Sequence, residues 1–260
     1  MRFCSFYVII EMPFKKKDSC FSLKINVYCI NSFVFLLLSF FFGSDSFAQT
    51  HISADVSVRQ LYNNKILRVE KQIFFTSNGN LVVHYTYPQE YYMITNTLGE
   101  TSVYHPATNE VMYMNDMTLS SQSEIFSLFT PSSSDLHLTD MGFSLQSTKK
   151  ENDNIVKIFV SDNSRIKDIQ KVKLVYGKDR PIYCAFYSDK EKISKKTYFS
   201  DYITLPNFSF PTVITQISYD TKGDSVIMKE EFKNIKTDNF SDDALFKYTI
   251  PKGTKRVNPY

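Results

Sequence analysis

Four histidines, one cysteine in the C-terminal half and a few acidic pairs are the residues of this 260-residue chain that could do chemistry. His51, His84, His105 and His137 show no HxH or HxxxH spacing, so they do not preset a metal site. His105 precedes a turn proline, and His84 lies on the sparser face of an alternating stretch, where its neighbours at Val83 and Tyr85 are the apolar ones. Ser147 and Lys150 make a Ser-x-x-Lys, but on a polar stretch read as a solvated turn rather than a nucleophile's setting. Asp242 and Asp243 read as a turn, not as an acid/base pair. Cys184 has no adjacent histidine and sits in an apolar run, the pattern of a small buried hydrophobe. There is no G-x-S-x-G and no phosphate-binding loop. The expectation is a protein without enzymatic activity, cofactor or metal.

Composition narrows the class further. Residues 1–48 have the features of a signal peptide: Lys15, Lys16, Lys17 and Lys24, then the ten-residue apolar run Phe33–Phe42, then Ser46-Phe47-Ala48 with small residues at −3 and −1. Cleavage is expected before Gln49, with Met1 or Met12 as the start, which makes the periplasm the expected compartment. Roughly 210 residues remain, 49–260, enough for one domain. Cys4, Cys20 and Cys29 leave with the leader, so a disulfide framework is excluded. The remainder is close to neutral, which argues against nucleic acid as a partner. The lysines at 190, 192, 195 and 196 alternate with acids and read as a solvated hairpin end. Tyr and Phe carry the aromatic load and Gly is scarce, a composition that favours strands.

The elements that must position these residues follow from periodicity. Leu81, Val83, Tyr85 and Tyr87 alternate with Val82, His84 and Thr86, a half-buried strand in which Leu81, Val83 and Tyr85 should face the concave interior with His84 outward. Ile66–Thr76 precedes it across Ser77-Asn78-Gly79-Asn80, whose Asn-Gly pair favours a tight hairpin. Turns at 96–99 and 106–109 flank the short strands Ser102–His105 and Glu110–Met114. The rhythm returns at Ile155–Val160, Val172–Tyr176, Ile182–Tyr187, Lys196–Ile203, Val213–Tyr219 and Val226–Ile235. Roughly ten strands without long helices between them predict antiparallel pairing. Between the halves, Ser121-Gln122-Ser123-Glu124 is a capping box, followed by an apolar stripe at Ile125, Phe126, Leu128 and Phe129 that Pro131 stops. Ser134 can cap a second turn ending at Gly142. These short helices either plug the sheet or form a hinged lid over an apolar cavity.

Three segments, in order, resemble the LolA family of periplasmic lipoprotein carriers and its Bacteroidetes lipoprotein-sorting relatives. They are Leu81 through Tyr87 followed by Pro88, Gln89 and Glu90; Thr95 through Pro106, with Gly99, Tyr104 and Pro106; and Asp243 through Val257, with Leu245, Phe246, Pro251 and Gly253. The resemblance implies a mainly β fold, an incomplete, unclosed antiparallel β-barrel with short helices as a lid over an apolar cavity. It implies a carrier whose partners are lipoprotein acyl chains or other lipids and the inner- and outer-membrane lipoprotein-sorting components, acting as a monomer. Leu81, Val83, Tyr85, Met112, Met114, Phe126, Phe129, Met141 and Phe143 are the expected cavity and lid residues. Where the family places an Arg-Pro pair that helps hold the lid, this chain has Asn78 and Gly79, so the latch is either absent or supplied elsewhere, by Arg68 or Lys71. A noncatalytic sensing or binding module on the same scaffold is the alternative.

Overall fold

The computed structural model describes residues 51–115, 121, 125–129, 135–161, 169–188, 191–206, 208–220, 223–237 and 244–258. The expected leader (residues 1–48) and its expected cleavage site, Gln122 to Glu124, Pro131, Ser134, Lys190 and the Asp242-Asp243 pair lie outside the described residues.

The chain is mainly β, one large sheet that does not close. The N-terminal meander comprises β1 (His51–Tyr62), β2 (Lys65–Thr76), β3 (Leu81–Tyr87), β4 (Tyr91–Thr95), β5 (Glu100–His105) and β6 (Glu110–Asn115). The second comprises β7 (Phe143–Glu151), β8 (Asn154–Ser161), β9 (Lys171–Gly177), β10 (Arg180–Tyr187), β11 (Ile193–Thr204), β12 (Ser209–Tyr219) and β13 (Ser225–Thr237). The two meanders join where β1 pairs antiparallel with β13, Val56 opposite Phe232. A short β14 (Lys255–Val257) returns to lie parallel to β6. Among the described residues the order is β14-β6-β5-β4-β3-β2-β1-β13-β12-β11-β10-β9-β8-β7, fourteen strands with β14 and β7 as free edges.

Each hairpin has a local cause. At Ser77–Gly79 the amide of Gly79 donates to the Thr76 carbonyl, and Gly79 takes φ +94°, a conformation that the Asn-Gly pair supplies. Asn63-Asn64 and Lys178-Asp179 turn their hairpins with both residues at positive φ, without glycine. The polar run Ser147–Lys150 is not a turn. It lies within β7, and the turn comes later, at Asn152. As the outermost strand, β7 is exposed along most of its length, so it carries no apolar alternation to announce it.

Register shifts at Ser53/Asp55, Glu70/Lys71, Leu145/Ser147 and Pro181/Tyr183 bend the sheet. The bending is enough that Phe75 and Leu81 share one core cluster with Phe159 and Val172, from strands far apart in the order. The concave face holds that core. The convex face of β1–β4 is covered locally by a 3-10 turn, Ala244–Lys247, whose Phe246 meets Phe74 and His51 edge-on at 5.4 and 5.0 Å. This second contact explains why Phe74 and Val82 are as buried as Ile73 and Val83.

Candidate functional site

A cavity of about 380 Å³ opens on the concave face between the sheet and the segment that links β6 to β7. One wall is that segment. A single helical turn, α1 (Ile125–Leu128), contributes Ile125 and Leu128, and the following turns contribute Leu136, Leu138 and Met141. The other wall is made by Cys184 and Phe186 on β10, Thr197 and Phe199 on β11, Ile214 on β12 and Met228 on β13. Cross-strand register puts them on one face: Cys184 lies opposite Thr197, Phe199 opposite Ile214, and Thr197 opposite Gln216. Lys71, Lys195, Gln216 and Glu230 form a polar side.

The covering segment is anchored by aromatic side chains. Phe126 is fully buried, stacked on Phe210 at 4.5 Å and edge-on to Phe232 at 5.7 Å. Phe129 meets Phe199 and Phe210 edge-on at 5.4 and 5.6 Å. Because β11, β12 and β13 each supply one of these rings, the turn is fastened across three strands. Its downstream end closes with Gly142 at φ +90°: Phe143 N–H donates to the Leu138 carbonyl and Gly142 N–H to that of Thr139, the paired bonds of a Schellman stop. Phe143 is thereby delivered into the core.

At its upstream end the segment docks on two hairpin turns. The buried Ser121 hydroxyl donates to the Gly79 carbonyl at 2.6 Å, and the Ser121 amide donates to the Asn96 carbonyl at 3.1 Å. Asn96 is itself braced, its side-chain oxygen accepting from the amides of Leu98 and Glu100. Ser121 therefore acts as a tether to the β2–β3 turn. Of the two candidate latch cations, Arg68 is exposed, whereas Lys71 lines the cavity and lies 3.7 Å from Glu230.

The residues singled out from sequence fall into three groups. Leu81, Val83, Phe126, Phe129 and Phe143 belong to the packed core, with Tyr85 partly buried against it. Met112 and Met114 sit on β6 in register with Val103 and Thr101, the same face as Val83 and Leu81 but beyond the cavity. Met141 alone of the nine lines it, nearly half exposed. His84 is on the opposite face, stacked on Tyr92 at 4.3 Å and 3.0 Å from Glu90.

Electrostatics at the site follow from burial. Desolvation pushes the Cys184 thiol up to about 12, only partly offset by Lys195, so it is a neutral wall group. Desolvation also lowers Lys195, whose ammonium lies 4.5 Å from the centre of the Phe186 ring. Burial raises Tyr202, whose hydroxyl donates to the Pro181 carbonyl. Among the described residues no group of three or more His, Cys, Asp or Glu could hold a metal ion.

The fold of this sheet is similar to that of three solved structures. A LolA superfamily protein from Nitrosomonas europaea superposes with TM-score 0.50 at 13% identity, over 72% of this chain and 85% of that one. A putative outer membrane lipoprotein-sorting protein domain from Vibrio parahaemolyticus gives 0.51 at 12%, over 78% and 90%. The fold is LolA-like. A DUF1329 family protein from Desulfovibrio piger shares this LolA-like fold, with TM-score 0.52 at 14% identity over 75% and 89%. No protein-family model and no curated protein matches the sequence. In this LolA-like sheet the cavity lies against β10–β13, whereas the residues singled out from sequence cluster on β3, β6 and the cover. Periodicity locates faces of strands. It does not locate where a curved sheet and its cover leave space between them.

Proposed function

We propose that the protein is a noncatalytic, exported carrier that takes the acyl chains of lipoproteins or other lipids into this cavity for transfer toward the outer membrane. The observation that carries the reading is the cavity itself, walled mainly by apolar side chains and covered by one helical turn rather than by a second sheet. Its volume falls within the range of about 300–1,000 Å³ usual for small-ligand sites. Each methylene moved from water into such a wall contributes about 0.8 kcal/mol, so an acyl chain needs no further recognition to bind. A multi-chain lipid requires the cover to move. The similarity to a lipoprotein-sorting domain agrees with this use of the fold. Passage between inner- and outer-membrane sorting components, as a monomer released from the 1–48 leader, belongs to the same proposal.

One observation favours the alternative of a sensing or binding module: Phe126 is fully buried against Phe210 on β12 and Phe232 on β13, which makes opening costly. Titration of the delipidated protein with a fluorescent fatty-acyl probe tests the carrier. Saturable binding is expected, lost in Met228→Trp, which fills the cavity, while the melting temperature stays close to that of the unaltered protein. No binding by the unaltered protein would overturn the reading.

A further inference from the structure

An acyl chain has no use for charge, yet two lysines, a glutamate and a glutamine line the same cavity. Lys71 and Glu230 answer each other at 3.7 Å, both side chains largely shielded from solvent. Lys195 is the remainder. It is partly buried, its ammonium sits 4.5 Å from the Phe186 ring centre, and among the described residues it has no carboxylate at ion-pair distance. A cation taken out of water and offered only an aromatic face is held at a cost that an anion beside it would offset. Gln216 lies one strand away from the Lys195 strand on the same wall, adding an amide donor to that side.

We propose that the cavity takes a single-chain amphiphile ending in a small anionic head, a carboxylate or a phosphate, with the chain against Leu138, Ile214 and Met228 and the head on Lys195. This rests on the acyl-chain reading and names the ligand class within it. Burial lowers the proton affinity of Lys195, and an anion at that position would reverse the shift.

The test pairs two probes that differ only at the head: dansylamino-undecanoic acid and its methyl ester. A charge-assisted hydrogen bond is worth enough to give the acid a preference of about tenfold or more. That preference should vanish in Lys195→Met, persist in Lys195→Arg, and vanish likewise in Lys195→Gln should the methionine variant melt early. Displacement of the bound acid by oleate or lysophosphatidate, but not by mono-olein or lysophosphatidylcholine, supports the anionic head, and the stronger competitor tells carboxylate from phosphate. Equal binding of acid and ester, unchanged in Lys195→Met, overturns the head-group assignment and leaves acyl binding intact. Binding of neither probe overturns both.

Discussion

The hydroxyl of Ser121 is bonded to the carbonyl of Gly79, 42 residues earlier in the chain, at 2.6 Å in a buried setting. This bond joins the start of the cover to the β2–β3 turn, at the place where the family resemblance puts an Arg-Pro latch. The turn geometry makes the contact possible. Gly79 has φ +94°, and a Cβ there would lie 2.1 Å from Thr97 Cγ2, so only glycine lets the Gly79 turn and the Thr97 turn approach.

Removing the hydroxyl should therefore strand a buried carbonyl. Ser121→Ala is expected to cost about 1–3 kcal/mol in urea unfolding. Gly79→Ala combines the positive φ with the Thr97 overlap and should cost more. If both variants unfold at the wild-type midpoint, the tether is not a stabilising contact.

Phe126 and Leu128 are neighbours on α1 with different surroundings. Phe126→Ala empties a fully enclosed aromatic stack and should cost about 3–5 kcal/mol. Leu128 already faces the cavity, so Leu128→Ala leaves less new void and should cost less than half of that. Thermal melts of the two variants check the order. A reversal would mean that the ring is not the anchor of the cover.

Cys184 reports on opening of the cavity. With the thiol pushed up to about 12, the thiolate fraction at pH 8 is about one in ten thousand, against roughly one in ten for a thiol at its ordinary value. Alkylation by iodoacetamide at pH 8 should be correspondingly slow in the folded protein and fast in urea. An acyl ligand should slow it further, because Cys184 is a wall residue. Labelling as fast as that of a free thiol would contradict the enclosed site.

Glu110 and Lys255 fasten the last strand to β6 at 2.8 Å. The Lys255 hydrogen bond, then that of Thr108, holds the Glu110 carboxyl below its usual range. A carboxyl whose folded value is depressed contributes fully above its unfolded value and loses that contribution as pH falls through the folded one. Amide exchange at Val257, measured against a distant amide such as Leu174, should rise on acidification below about pH 4. In Glu110→Gln that pH dependence should be absent.

The strands were legible where chemistry is local. Alternation marks Leu81–Tyr87, and Asn78-Gly79 marks its hairpin. The exposed edge β7 was hidden because nothing packs on most of its length, and Ser147–Lys150 reads as loop for that reason. The resemblance carried the unclosed sheet, which no residue count could have supplied. The polar side of the cavity was the least legible part. Lys71, Lys195 and Glu230 meet only because β2, β11 and β13 curve toward a common centre, and the alternation of Lys195 with acids in sequence suggests a solvated surface instead.

The seam between β1 and β13 has a consequence for the order of assembly. It pairs Ile52 with Thr237, and β14 pairs Glu110 with Lys255, so both contacts wait for nearly the whole chain. The two meanders are built from neighbouring hairpins and can form early, but each remains a sheet with its central edge bare until its counterpart arrives. Contacts of such sequence separation close slowly, because a long loop must be confined before any bond is gained. The nascent chain thus has no native seam to lock until β13 has left the ribosome, and the bare edges of β1 and of the second meander must be kept from pairing with other chains until then.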